Sequence, residues 1–252
     1  MELEPDAAME IAQFVGHLQH DGELLGRAAE YAGLDAPVPS CPDWTVAAAL
    51  GHVSKVHQWA AWLIRGGAPD RFSYRRPEPD QLLAGYRGGL ADLVTALTRT
   101  SDNQPMHTPW PTRSPRLFWA RRQAHETAIH RVDLQLAAGY GVSDIDPDFA
   151  ADGIDELVMS MVPNRLVAIT ADPPVRVLLE PLDANMSWTV RIGPDGVRVA
   201  RQVGESADLS VFGLSADLYR WVWNRAGDDE ISLRGQLPLA DWWRQTIQIA
   251  AR

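Results

Sequence analysis

Between Asp6 and Ala32 apolar residues return at mixed three- and four-residue intervals, through Ile11, Phe14, Val15, Leu18, Leu24 and Leu25. That spacing paints one face of a helix and predicts an amphipathic segment. The run from Gly33 to Trp44 holds Pro37, Pro39 and Pro42, which break any helix, so it reads as a connector. A second helix is predicted from Asp43 or Thr45, both acceptable caps, to Gly66-Gly67. Ala47, Ala48 and Ala49 give it a thin neck where another helix can approach closely. A third helix spans Asp80 to Thr100, after a Pro-, Arg- and Tyr-rich loop at Arg71 to Pro79. A polar, Pro-rich loop from Ser101 to Pro115 leads to a fourth helix from about Ser114 to Ala138, stopped by Gly139 and Gly141. Four helices with two long connections predict a four-helix bundle, in which metal sites are built from inward side chains on facing helices.

Asp146-Pro147-Asp148 opens a short fifth helix that runs to about Met161. After Pro163 the period changes. V-R-V-L-L-E, W-T-V-R-I and V-R-V-A-R alternate apolar and polar positions and carry β-branched residues, as strands do. G-P-D-G, between Ile192 and Val197, is a turn joining two of them. A-D-L-S-V-F-G is a further strand, Ala216 to Arg225 a helix, Ile231 to Leu233 a short strand and Pro238 to Ala250 a closing helix. The fold class is α+β: a helical bundle over residues 1–160 and a small α+β domain over residues 161–252.

Composition narrows the function. The 252 residues are 46% hydrophobic and 22% charged, with a net charge of −10, the profile of an ordinary globular protein. An acidic chain is a poor partner for nucleic acid or an anionic membrane surface, both of which select basic faces. The N-terminal M-E-L-E-P-D-A-A-M-E has no apolar core of the kind a secretory signal needs, and no window approaches a membrane span of about 18 apolar residues. A single Cys41 makes no internal disulfide, which fits a reducing cytoplasm. The expected partners are small molecules, and the chain is expected to be a monomer or homodimer.

Chemistry concentrates in A-H-E-T-A-I-H-R-V-D, where Glu126 and His130 are four residues apart. On a helix both leave the same face, one turn apart, and can grip one divalent metal. His52, in A-A-A-L-G-H-V-S-K-V-H, is the candidate third ligand from another helix. The H-E-x-x-H zincin arrangement is excluded: position 129 is Ile129, and His125 and His130 stand about 140° apart around a helix. Two His and one carboxylate with an open position suit Zn²⁺, and also non-haem Fe²⁺. Each residue alone has a plainer explanation. His52 could be a half-buried histidine bonded to a carbonyl, and Glu126 a helix-surface partner of Arg122 at i−4. Asp133, three residues past His130, is either an acceptor for an imidazole N–H or a partner of Arg131. His57, five residues past His52, points elsewhere. Cys41 has no His or Asp at a telling spacing and reads as a small packing residue. Arg71, Arg75 and Arg76 read as a solvated loop, with an anion grip as the alternative. Trp59, Trp62, Trp110 and Trp119 are the expected aromatic neighbours of the metal site.

C-P-D-W-T-V-A-A-A-L-G-H at Cys41 to His52 resembles the actinobacterial signature C-P-x-W-T-V-x-x-L-x-x-H, and H-E-T-A-I-H-R-V-D at His125 to Asp133 resembles the same family's H-E-x-x-x-H-R-x-D. The C-terminal D-L-S-V-F-G-L-S-A-D-L-Y-R-W-V-W-N-R, followed by I-S-L-R-G, is similar to that family's second domain. The family is the mycothiol-dependent maleylpyruvate isomerase-like group of the DinB-like superfamily. The resemblance implies a DinB-like four-helix bundle, then a sterol-carrier-like α+β domain. It implies a divalent metal, usually zinc, on His52, Glu126 and His130, and mycothiol as co-substrate. It also implies a catalytic arginine in the second domain, for which Arg225 is the nearest match and Arg220 the other candidate. The expected function is metal-dependent activation of mycothiol, for S-transfer to a small electrophile or for its cis–trans isomerisation. A small-molecule-binding protein with a structural or vestigial metal site and a metal-dependent hydrolase are the alternatives.

Overall fold

The computed structural model describes residues 9–164, 169–201 and 206–248. Its contacts divide into two compact units, Met1–Ser143 and Asp144–Arg252.

The first unit is built from α1 (Ile11–Ala32), α2 (Val46–Ile64), α3 (Leu82–Arg99) and α4 (Pro115–Ala138). The expected start of α1 at Asp6 lies outside the described residues. α2 is capped by Thr45, whose Oγ1 accepts from the Ala48 amide at 3.3 Å, satisfying a donor that has no partner inside the helix. α4 opens on Pro115, whose missing N–H costs nothing at that position. It stops where Gly139 takes a left-handed conformation, φ 74° and ψ 12°, which a residue without a side chain adopts freely. Leu25, Ala28, Val46, Ala49, Leu50, Val53, Leu82, Tyr86 and Leu134 form one buried cluster. α1 packs chiefly on α4 and α2 on α3. Arg131, fully buried on α4, pairs with Asp21 of α1 at 3.2 Å.

The Pro-rich connector is ordered by its own backbone. Val38 donates to the Trp44 carbonyl at 2.9 Å, Trp44 to that of Cys41 at 2.8 Å, and Cys41 to that of Val38 at 3.0 Å. Pro37 and Thr45 form an antiparallel bridge. These bonds close a tight loop that presents Ser40, Cys41 and Trp44 beside the N-terminus of α2.

The second unit opens with α5 (Pro147–Asp155), which continues as a π-helical turn, Glu156–Met161. The expected fifth helix therefore changes hydrogen-bond pattern halfway. The strands are β1 (Val175–Pro181), β2 (Trp188–Gly193), β3 (Gly196–Ala200), β4 (Leu209–Gly213) and β5 (Ser232–Gly235), in the order β3-β2-β1-β4-β5. β1 and β4 run parallel and the other neighbours antiparallel. Alternation buries Val177, Leu179, Trp188, Val190, Ile192, Leu209 and Val211 on one face. α6 (Ser215–Val222) and α7 (Pro238–Thr246) complete the unit. α6 is shorter than the expected run to Arg225, because Asn224 turns the chain with φ 61°. The expected end of α7 at Ala250 lies outside the described residues. Asp155 accepts from Trp188 Nε1 at 2.8 Å and from both Nε and Nη2 of Arg201, tying α5 to the sheet. No helix among the described residues is long and apolar enough to cross a membrane.

Candidate metal centre

α2 and α4 bring His52, Glu126 and His130 together, as the four-residue spacing required of the last two. One ligand atom from each lies within 4.8 Å of the other two. His52 Nε2 is 3.0 Å from Glu126 Oε1, and His130 Nε2 is 3.3 Å from the same oxygen. Zinc bonds to imidazole nitrogen and carboxylate oxygen run about 2.0–2.2 Å, so neighbouring ligand atoms on a tetrahedron stand roughly 3.3–3.5 Å apart. The two measured distances sit close to that spacing, and the donor set of two imidazoles and one carboxylate fits a divalent ion of the zinc type. The side chains of His52, Glu126 and His130 are 14%, 18% and 6% exposed, so the cluster is nearly but not fully enclosed.

The ligand candidates are held from behind. Glu126 Oε2 accepts from Arg122 Nη2 at 2.7 Å. The sequence offered that i−4 pair as an alternative to metal ligation; the structure forms the pair with one carboxylate oxygen and leaves the other facing the two histidines. Burial pushes the Glu126 carboxyl up. Hydrogen bonds from His130 and His52, with the charges of His130 and Arg122, overcome this and hold it well below the usual carboxylate range. His130 Nδ1 is 2.8 Å from Asp133 Oδ2. Burial lowers the His130 pKa, but Asp133 and Glu126 more than compensate and raise it to about 9 in the metal-free protein. Asp133 is therefore the imidazole partner that its three-residue spacing offered.

Two expectations about neighbours are corrected. The aromatic ring at the site is Trp44, which stacks on His130 at a 5.8 Å centroid distance and 17°, and lies tilted against His52 at 5.0 Å. Of the four tryptophans expected there, Trp59 packs edge-on against Trp119, Trp110 against Phe118, and Trp62 donates to the Ala68 carbonyl. Cys41, expected only to pack, places Sγ 3.8 Å from Asp133 Oδ2, and Ser40 Oγ donates to Asp133 Oδ1 at 2.5 Å. Sequence spacing gave no hint of Ser40 or Trp44; Ser40 lies 93 positions from Asp133 in the chain. For Trp44 its membership of the C-P-D-W-T-V signature was the available signal; Ser40 stands just ahead of that signature.

The remaining candidates fall elsewhere. His125 is fully buried and edge-on to Phe14, off the ligand face as the excluded zincin spacing required. His57 is fully buried, with Nε2 2.8 Å from Thr127 Oγ1. Arg76, expected to be solvated, donates to the Ala47 carbonyl at 2.8 Å. Its guanidinium lies against α2 at Gly51, where a Cβ would come within 3.2 Å of Arg76 Nε. Arg225 belongs to the second unit, where it follows the turn at Asn224 and donates to the Trp223 carbonyl at 2.7 Å. Arg220 is held between Asp217 at 2.7 Å and Glu230 at 2.5 Å.

The model of the mycothiol maleylpyruvate isomerase N-terminal domain matches residues 15–135. Two solved structures, the mycothiol-dependent maleylpyruvate isomerase and a His-to-Ala mutant of it, each superpose with a TM-score of 0.61. Each covers 89% of this chain and 93% of its own, at 15% sequence identity. At that identity the likeness establishes the fold. No curated protein sequence matches the chain.

Proposed function

Residues 15–135 make the first unit a member of the mycothiol maleylpyruvate isomerase N-terminal domain family, and from that premise we propose that the protein is a divalent-metal-dependent enzyme activating mycothiol. The observation that carries this reading is the meeting of His52, Glu126 and His130 from two helices within 4.8 Å. Three protein ligands leave a position for an exogenous donor, the arrangement of catalytic rather than structural zinc sites. A dication bound there supplies the positive charge that keeps a coordinated thiol ionised at neutral pH. The chain's own residues do the rest. His52, Glu126 and His130 would hold the ion, Arg122 holds the second Glu126 oxygen at 2.7 Å, and Trp44 packs against both imidazoles.

The chemistry is attack of the thiol sulfur on an electrophilic carbon. Loss of a leaving group makes the reaction an S-transfer. Addition followed by rotation about the former double bond and elimination of the thiol makes it a cis–trans isomerisation. Arg225 is assigned to an anionic group of the substrate. Arg220, the other candidate, is engaged by Asp217 and Glu230.

The test is turnover of a panel of electrophiles, including maleylpyruvate, with and without mycothiol and with and without chelator. Turnover that requires both metal and thiol is expected, and Arg225→Ala should raise KM for anionic substrates more than for neutral ones. Metal-dependent turnover that proceeds equally well without thiol would mark the protein as a hydrolase. A metallated protein that neither turns over nor binds mycothiol would mark it as a binding protein.

A further inference from the structure

We propose that Asp133 and Ser40 are positioning residues that fix His130 as a metal ligand, and that the connector ahead of α2 exists in part to carry this device. The inference rests on the metal reading above and extends it to residues that never touch the ion.

Asp133 is a carboxylate with no exposed side-chain surface. Burying such a group is costly unless its oxygens are partnered, and an apolar residue on α4 would fill the space without that cost. Here each oxygen has a dedicated partner. Oδ2 faces His130 Nδ1 at 2.8 Å, and Oδ1 accepts the Ser40 hydroxyl at 2.5 Å. The Cys41 thiol approaches Oδ2 from the connector at 3.8 Å. An imidazole that donates Nδ1–H to a carboxylate has its tautomer settled, so that Nε2 carries the lone pair. His130 Nε2 is the atom that faces Glu126 Oε1, the side on which an ion would sit. The contact with Asp133 therefore sets both the orientation and the tautomer that ligation needs.

Ser40 is in turn held by the closed hydrogen-bond cycle of Val38, Cys41 and Trp44. The same short loop stacks Trp44 on the other side of His130. One connector thus restrains the imidazole twice, through a carboxylate at its edge and an indole on its face. His52 has the indole contact but, among the described residues, no comparable partner for Nδ1. The pair of histidines is unequally supported, and loss of Asp133 should fall on His130.

The experiment titrates metal-free full-length protein with Zn²⁺ against a chromophoric chelator, for wild type, Asp133→Asn, Ser40→Ala and Ser40→Thr. Two companion measurements are the unfolding midpoint of each metal-free protein and the visible spectrum of each Co²⁺-loaded one. Asp133→Asn keeps the shape and loses the charge, and its zinc affinity should fall about 10–100-fold with a shifted cobalt spectrum. Ser40→Ala should fall less, in the same direction, and Ser40→Thr, which keeps the hydroxyl, should return to wild type. If Asp133→Asn fails to fold, the two serine variants decide. Zinc affinities equal to wild type in Asp133→Asn and Ser40→Ala overturn the inference, as does a lowered unfolding midpoint with unchanged zinc affinity, the signature of a purely structural tie. Wild-type protein that takes up no zinc overturns the metal reading itself and this inference with it.

Discussion

Glu126 offers its two carboxylate oxygens to different partners, Oε2 to Arg122 at 2.7 Å and Oε1 to His52 and His130 at 3.0 and 3.3 Å. This division explains how a nearly buried carboxylate stays ionised without a metal: Arg122 and the two imidazoles replace the water it has lost. It also predicts how the site fails. His52→Ala removes one of the three proposed ligands and should leave the protein largely metal-free by elemental analysis, whereas full retention of metal would exclude His52 as a ligand. Arg122→Ala leaves the ligands in place but strands the carboxylate. Breaking one partner of a buried ion pair costs about 3 kcal/mol, and that loss should appear in chemical denaturation of the metal-free protein. Added zinc supplies the missing positive charge and should recover much of it. Equal destabilisation with and without zinc would mean that Glu126 does not face the ion.

α2 carries two histidines five positions apart, and the helix turns them to different fates. His52 faces the cluster, while His57 is fully buried against Thr127, with its Nδ1 lacking a hydrogen-bond partner. Burial, the largest influence, lowers the His57 pKa to about 3, and the Glu126 charge opposes this only in part. The sign follows directly. The folded protein keeps His57 neutral, and the unfolded chain protonates it below the ordinary histidine value of 6.5. Stability from this residue is complete above that value and is lost as pH falls from there toward 3. The slope approaches about 1.4 kcal/mol per pH unit at its steepest. Urea denaturation of metal-free protein between pH 4 and 7 should show it, and His57→Gln should flatten it; an unchanged slope would acquit His57. Such a role was only partly legible beforehand. The five-residue offset from His52 said that His57 points elsewhere, but not into a sealed core. The first helix was legible because Phe14, Leu18 and Leu25 repeat with helical period. The His52, Glu126, His130 set was legible because two of its members share one turn of α4. The connector was not. Pro37, Pro39 and Pro42 announce a break in helix, and nothing local tells a hydrogen-bonded loop from a loose one. Ser40 and Trp44 matter through contacts with α4, which a one-dimensional pattern does not record. The π-helical turn at Glu156–Met161 was invisible for a related reason: its apolar positions fit either helical pattern.

At the scale of the whole chain, every ligand candidate and every residue that backs one lies within Met1–Ser143, the first of the two units. A metal that binds the folded chain and not the unfolded one stabilises it by mass action, by about 2.7 kcal/mol at a free concentration one hundred times its dissociation constant. That energy enters where the ligands are. α2 and α4 are cross-linked through His52 and the Glu126–His130 pair, and the connector is fastened to α4 through Ser40 and Asp133. Opening of these segments should therefore become rarer first, because separating the two helices now requires release of the ion. Hydrogen exchange followed by mass spectrometry, with and without zinc, should show the largest gain in protection in peptides from α2, α4 and residues 33–45. Peptides from β1 to β5 should gain less, since their slowest exchange depends on unfolding of Asp144–Arg252. A gain of equal size in both units would mean that they unfold as one cooperative body. A gain confined to the sheet would place the metal outside the His52, Glu126, His130 cluster altogether.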